Sequence, residues 1–330
     1  MVTYKSFTGR TYANNDCDWQ EIALEVFRFQ ANACAVYRDY LQYLGKKPAD
    51  VQTIAEIPFL PISFFKTHLV QSGNWQEAEV FFSSATTGTV TSRHALPDKT
   101  FYLRHALRLF EAEYGAISNY HVLALLPAYL ERPGSSLIAM ADFFIRESGS
   151  SESGFFLYNL GELTARIRKL LETNRRVLLL GVTFALLDLA DQLSAPFDQR
   201  LLVMETGGMK GRRPEITRSE LHGFLTERLG VPAIHSEYGM TELLSQAYSK
   251  GGGIFNTNAS LRVFIRDITN PLELVPLGET GGVNVVDLAN VHSCSFIETQ
   301  DLGKLHRNGT FEILGRMDNS DVRGCNLLVK

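Results

Sequence analysis

Apolar positions along the chain follow two successive rhythms. Between residues 20 and 44, QEIALEVFRFQANACAVYRDYLQYL, the residues Ile22, Val26, Phe29, Ala33, Val36, Tyr40 and Leu44 recur at helical spacing and predict one amphipathic helix. Asp18 followed by Glu21 predicts a capping-box-like start for it. Residues 99–114 predict another helix, stopped by Gly115. Apolar runs then alternate with helical patterns. HVLALLP (121–127), RVLLLGV (176–182), RLLVMET (200–206) and the start of PAIHSEYG (232–239) predict buried strands. GELTARIRKLLETN (161–174), FALLDLADQL (184–193) and TRSELHGFLTERLG (217–230) predict helices, the last capped by Thr217 and Glu220. Strands alternating with helices imply a mostly parallel sheet with helices on its faces.

After residue 254 the rhythm changes. LRVFIRD (261–267), GVNVVDL (282–288), SCSFIET (293–299) and GTFEILG (309–315) are short alternating segments separated by turn residues. They predict an antiparallel β region. With no repeat or flexible linker between them, both parts are expected to share one globule.

Composition narrows the function. The 330 residues are 45% hydrophobic and 21% charged, as in ordinary globular proteins. A net charge of -4 argues against nucleic acid or membrane surfaces as partners. No apolar run approaches a bilayer span, and the N-terminal MVTYKSFTGRTYANND has no signal-like apolar core. The four cysteines, Cys17, Cys34, Cys294 and Cys325, form no CxxC pair. Reduced thiols in a cytoplasmic protein are the expectation.

In open α/β sheets, ligands bind beyond the carboxyl ends of the strands. Here those ends carry AYLERPGSS (128–136), GGMKGRRP (207–214) and EYGMTE (237–242). A further loop, within FFSSATTGTVTSRHAL (81–96), is crowded with hydroxyls and short of bulk. Such a loop is either a polar turn or a cover for phosphate. Hydroxyls, backbone N–H groups freed by Gly, and Lys or Arg together suit an anion. Glu242 among them would repel bare phosphate, but would suit Mg2+ bridging to phosphate oxygens. No GxxxxGK[ST] occurs, so this is not a P-loop.

These segments resemble the adenylate-forming superfamily of acyl-CoA synthetases, luciferases and peptide-synthetase adenylation domains. SSATTGT (83–89) is similar to its phosphate loop, with Ala85 where glycine is usual; YGMTE (238–242) matches the aromatic-Gly-x-Thr-Glu motif. ETGGMK (205–210), TQDLG (299–303) and GRMDNSDVRG (315–324) follow in the expected order, so the resemblance covers roughly residues 80–325. It implies ATP and Mg2+. Ser83, Ser84, Thr86, Thr87 and Gly88 would lie over the phosphates, Gly207 and Gly208 beside adenine and the acyl pocket. Tyr238 and Gly239 would lie against adenine, Thr241 on the α-phosphate and Glu242 on the metal. Asp301 and Arg316 would take the ribose, and Asp318 would mark the hinge.

A narrower resemblance, to the acyl-protein synthetase of bacterial bioluminescence, rests on EIPFLPISFFKTHLV (56–70), LLPAYLERPGSSL (125–137), ETGGMKGRR (205–213) and VRGC (322–325). It implies a fatty acid activated as acyl-adenylate and passed to Cys325, beside Arg323, with an acyl-reductase or carrier protein as partner. Phenylacetate-CoA ligases resemble the chain more distantly. The expected fold is thus the α/β large N-terminal domain of an adenylate-forming enzyme, mostly parallel sheets flanked by helices plus a C-terminal antiparallel β region. The core would run over 1–330: an α/β part at 1–253 with a helical lead, a β-rich part at 254–318, and hinge and tail at 319–330. The small domain that carries the superfamily's catalytic lysine is expected to be missing. An aryl- or acyl-CoA ligase and a non-catalytic nucleotide-binding subunit stay open as alternatives. Lys210, Arg212 and Arg213 read equally as ligand contacts or a solvated charge run, and Tyr129 as pocket lining or packing. His121 and His235 read as packed core histidines, and Cys17, Cys34 and Cys294 as structural.

Overall fold

The computed structural model describes residues 16–83, 90–127, 134–208, 213–214 and 216–317, with side chains from residue 19 onward. The parallel strands are β4 (Tyr120–Leu125), β5 (Gly154–Phe156), β6 (Arg176–Val182), β7 (Leu201–Thr206) and β8 (Ile234–Tyr238). The antiparallel set is β9 (Ala247–Ser249), β10 (Ile254–Phe255), β11 (Leu261–Arg266), β12 (Thr280–Asp287), β13 (Phe296–Leu305) and β14 (Phe311–Arg316). All join one sheet in the order β11-β12-β13-β14-β10-β9-β8-β7-β6-β4-β5, and β1 (Leu60–Pro61) adds in parallel beside β13. A separate hairpin pairs β2 (Glu79–Phe82) with β3 (Arg93–Leu96).

The sheet therefore changes sense at β8, parallel on one side and antiparallel on the other. Every residue of β4 is buried, as a strand covered on both faces requires. The helices α4 (Lys99–Tyr114), α5 (Ser136–Ser148), α6 (Leu160–Leu171), α7 (Thr183–Gln192) and α8 (Arg218–Leu229) lie in the α/β part. Asp98, Ser135 and Thr217 cap three of them, each side chain accepting a first-turn N–H. The mixed α/β fold matches the expectation.

The amphipathic stretch at 20–44 forms two helices, α1 (Asp16–Ala33) and α2 (Ala35–Tyr43). Cys34 between them is extended and bridges to Ser72, and the Gly73 N–H takes the Ala33 carbonyl. A tertiary contact, not the local pattern, breaks the helix. Asp18 lies within the first turns of α1 rather than ahead of it. The helix α5 and strand β5 stand where the sequence reading placed no element. The strand predicted at 293–299 starts at Phe296 and runs on to Leu305, so TQDLG is part of β13. The buried side chains form two clusters. One fills the α/β part; the other packs Trp19, Ile22, Val26 and Phe27 of α1 against Val283, Val285 and Phe296. The first helix thus covers the antiparallel half. Among the described residues, no helix is long and apolar enough to cross a membrane.

Candidate active site

The site is built around the C-terminal end of β8. The β2–β3 hairpin flanks the hydroxyl-rich stretch in the chain, and its neck is closed by two hydrogen bonds. Ser83 N–H donates to the Ser92 carbonyl at 3.1 Å, and Ser92 N–H donates to the Ser83 hydroxyl at 2.8 Å. Ser84, Thr86, Thr87 and Gly88 lie outside the described residues. Gly134, just ahead of α5, meets the same hairpin: Phe82 N–H donates to the Gly134 carbonyl at 2.8 Å. Gly134 has φ +79°, and a Cβ there would stand 2.7 Å from the Phe82 ring. Close approach and backbone conformation both demand glycine.

Tyr238 ends β8 and is buried, with its ring edge-on to Phe255 and Phe311 at centroid distances of 5.9 Å each. Its hydroxyl donates to Asp301 Oδ2 at 2.8 Å. Asp301 sits opposite Arg316 in the β13–β14 ladder, and Arg316 Nε lies 3.8 Å from its Oδ1. Burial pushes the Asp301 carboxyl above its ordinary range, against the pull of Tyr238, Arg316, Arg218 and Arg266. Arg316 itself is 75% exposed. Thr241 and Glu242 follow in a turn, with no helix after them. The His94 Nδ1–H donates to the Thr241 carbonyl at 2.8 Å, tying the hairpin to this turn. Burial drives His94 down to about 4, so its ring is neutral.

Glu242 is 5% exposed, and burial raises its carboxyl although Ser92, Arg316 and Lys66 draw it down. Among the described residues no ion pair reaches this buried carboxylate, which suits it to a cation. Among the described residues, no three His, Cys, Asp or Glu side chains converge into a metal-binding group. A single carboxylate completed by phosphate oxygens and water is how Mg2+ is commonly held, so the donor set fits that ion rather than a protein-caged metal.

Gly207 leaves β7 with its carbonyl taken by the Thr183 hydroxyl at 3.2 Å, and Gly208 beyond it is exposed. Lys210 and Arg212 lie outside the described residues. Arg213 is engaged by Asp188 at 2.5 Å and Asp191 at 2.8 Å on α7, which accounts for it without a ligand. His121 bonds Ser150 at 2.6 Å and His235 bonds Tyr114 at 3.2 Å, near the opposite ends of their strands. Cys325 and Asp318 lie outside the described residues.

Two carboxyls escaped the sequence reading. Glu205 and Glu237 are the penultimate residues of the neighbouring strands β7 and β8, one register step apart, and both are buried. Burial opposes ionisation of Glu205, but His222 at 3.6 Å, Arg218 at 3.4 Å and Ser236 outweigh it and keep the group below its ordinary range. Glu237 accepts a hydrogen bond from the Thr206 hydroxyl. Its burial raises it to about 7, with neighbouring Glu205 adding to the rise. A Cβ on Gly239 would crowd the Glu237 carboxyl and require it to shift. The one signal was an acid closing each of two apolar strands.

No protein-family model matches the chain, and no curated protein does. Solved structures do. The 2-hydroxyisobutyryl-CoA ligase in complex with 2-HIB-AMP and CoA superposes with a TM-score of 0.66 at 13% identity, over 94% of this chain and 71% of that one. The fold is that of the adenylate-forming enzymes. ATP-bound MatB from Rhodopseudomonas palustris gives a TM-score of 0.54 at 18% identity, over 73% of this chain and 48% of that one. The O-succinylbenzoate-CoA synthetase MenE from Bacillus subtilis, in complex with AMP, gives 0.52 at 17%, over 74% and 50%. The chain spans about half the length of MatB and MenE. On this adenylate-forming fold, Tyr238, Glu242, Asp301 and Arg316 surround one strand junction.

Proposed function

We propose that the chain is an ATP-dependent acid-activating ligase, organised as one adenylate-forming core over residues 1–330. The observation that carries this reading is the convergence of Tyr238, Asp301 and Arg316 with buried Glu242 where the sheet changes sense. In the first step a carboxylate oxygen attacks the α-phosphorus of ATP. The bond from that phosphorus to the bridging oxygen breaks, and pyrophosphate leaves with its electron pair. The protein's task is to align two anions and offset their charge. Asp301 accepts the ribose hydroxyls, Arg316 folds over them, and Tyr238 with Gly239 borders the base. Gly207 and Gly208 leave room beside the base and the acid. Ser83, Ser84, Thr86, Thr87 and Gly88 cover the phosphates, Thr241 contacts the α-phosphate, and Glu242 holds Mg2+. When bound, Mg2+ offsets charge on the phosphates.

In the second step the Cys325 thiolate attacks the acyl carbonyl. The bond to the AMP oxygen breaks, AMP leaves, and the thiol proton has gone to solvent. A fatty acid is the proposed substrate, and an acyl-reductase or carrier protein the proposed consumer of the thioester. Buried, unpaired Cys34 and Cys294 fit a reducing, cytoplasmic setting. CoA as acceptor is the second reading; what favours it is the fold likeness to a ligase bound to an acyl-AMP and CoA.

The test is pyrophosphate release from ATP and Mg2+ on adding a series of carboxylic acids, with and without CoA. Release that requires an acid and is lost in Glu242→Ala is expected. No release with any acid, in a chain that melts cooperatively, would sink the ligase reading. Acyl label that stays on Cys325→Ser would sink self-loading.

A further inference from the structure

The turn that carries Thr241 and Glu242 has no helix and no sheet ladder to hold it, yet side chains from elsewhere take two of its carbonyls and two of the amides that follow, and Leu243 N–H donates to the Met240 carbonyl at 3.1 Å within it. Asn290 Nδ2 donates to the Glu242 carbonyl at 2.7 Å. His94 Nδ1–H donates to the Thr241 carbonyl at 2.8 Å. Asp287 Oδ2 accepts the Leu244 N–H at 2.7 Å and the Ser245 N–H at 2.9 Å. Its Oδ1 accepts the Ser245 hydroxyl at 2.6 Å and the Ala289 N–H at 3.0 Å. Asn290 and Asp287 are both wholly buried. Among the described residues the Asn290 side-chain oxygen has no partner, and its Nδ2 bond to the Glu242 carbonyl orients the amide. Gln30 of α1 fixes the clamp from behind. Its Nε2 donates to the Asn290 and Val291 carbonyls at 2.8 and 3.1 Å, and its Oε1 accepts the Ser295 N–H at 2.9 Å.

We propose that Asn290, with His94 and Asp287, is a positioning clamp that sets the Thr241–Glu242 peptide so that the Glu242 carboxylate faces a magnesium–nucleotide. The proposal rests on the adenylating reading above. With the Thr241 and Glu242 carbonyls and the Leu244 and Ser245 amides all held, the backbone on both sides of the Glu242 side chain is fixed, and little ordering is left to do when the metal arrives. Partners that orient a metal ligand from behind typically change metal affinity about tenfold or more when removed. None of these three residues needs to touch nucleotide for this.

The test uses the full chain and two readouts. Titration calorimetry follows ATP binding over a series of Mg2+ concentrations for the wild type and Asn290→Ala. The Mg2+ concentration for half-maximal binding should rise about tenfold, while ATP affinity without metal stays within about twofold. An unchanged Mg2+ requirement, or an equal loss with and without metal, overturns the proposal. Amide hydrogen exchange is the second readout: Leu244 and Ser245 should exchange at least about tenfold faster in Asn290→Ala while β4 and β6 stay protected. Unchanged exchange at those amides overturns the clamp itself. Should Asn290→Ala not fold, Ser245→Ala, which removes one of the four bonds to Asp287, takes its place in both measurements with a smaller shift. A wild-type chain that binds no ATP at any Mg2+ concentration sinks the adenylating reading and the metal role with it, whereas the exchange result still decides the clamp.

Discussion

Tyr238 and Asp301 meet across the boundary between the two halves of the sheet, the phenol donating to the carboxylate at 2.8 Å. Tyr238 belongs to the last parallel strand and Asp301 to the antiparallel set. One hydrogen bond thus joins the residue proposed to border the base to the residue proposed to hold the ribose. In Tyr238→Phe, a buried carboxylate loses this donor and is left with Arg316 at 3.8 Å and the fields of Arg218 and Arg266. A loss of about 1–3 kcal/mol is expected in urea unfolding, together with weaker ATP binding by calorimetry. Full stability and unchanged affinity would rule out the coupling.

Glu237 gives the fold a pH dependence. Its folded-state value is raised to about 7 from the ordinary 4.5, so the native state favours the protonated form. The stability this contributes is present in full below about pH 4.5 and is lost as pH rises through about 7. Glu237→Gln keeps an acceptor for the Thr206 hydroxyl and cannot ionise. It should raise the melting temperature at pH 8 relative to the wild type, and the advantage should shrink toward pH 5. An advantage that does not change with pH would contradict the assignment.

Gly134→Ala probes how the loop after β4 docks on the hairpin. The new Cβ would stand 2.7 Å from the Phe82 ring at a φ of +79°. Strain of about 1–3 kcal/mol falls on the Phe82–Gly134 contact. Pyrophosphate release should slow by tenfold or more, while circular dichroism stays native.

The cysteines should divide by reactivity. Burial raises the thiols of Cys34 and Cys294, and Cys294 is wholly enclosed. Thiolates are the reacting species, so both should label with a maleimide only on unfolding. Mass mapping of native protein that finds either one modified would refute this.

Strand and helix periodicity carried the α/β part because each element there buries a face of its own sequence. Thr217 and Glu220 form the capping box that their spacing announces. The break at Cys34 was not legible, because the apolar rhythm runs on unbroken and only Ser72 and Gly73, forty residues away in the chain, interrupt it. Helix α5, SLIAMADFFIRES, passed unnoticed although Ser135 caps its start and Gly149 closes its end. At the site, YGMTE and TQDLG could be recognised as segments, and the structure adds that Tyr238 bonds Asp301. Glu205, Glu237, Asp287 and Asn290 carry no motif; what singles them out is burial and the groups they face, which one-dimensional spacing does not encode.

The segments that resemble the wider adenylate-forming superfamily begin near residue 80, and a chain trimmed to that point would retain all of those. It would lose Gln30, whose amide stands behind the turn at 290–295. It would also lose the apolar cover that α1 lays on the antiparallel strands. The unit that evolution or an engineer can move intact is therefore larger than the stretch bearing the motifs, and its N-terminal limit lies ahead of the first helix.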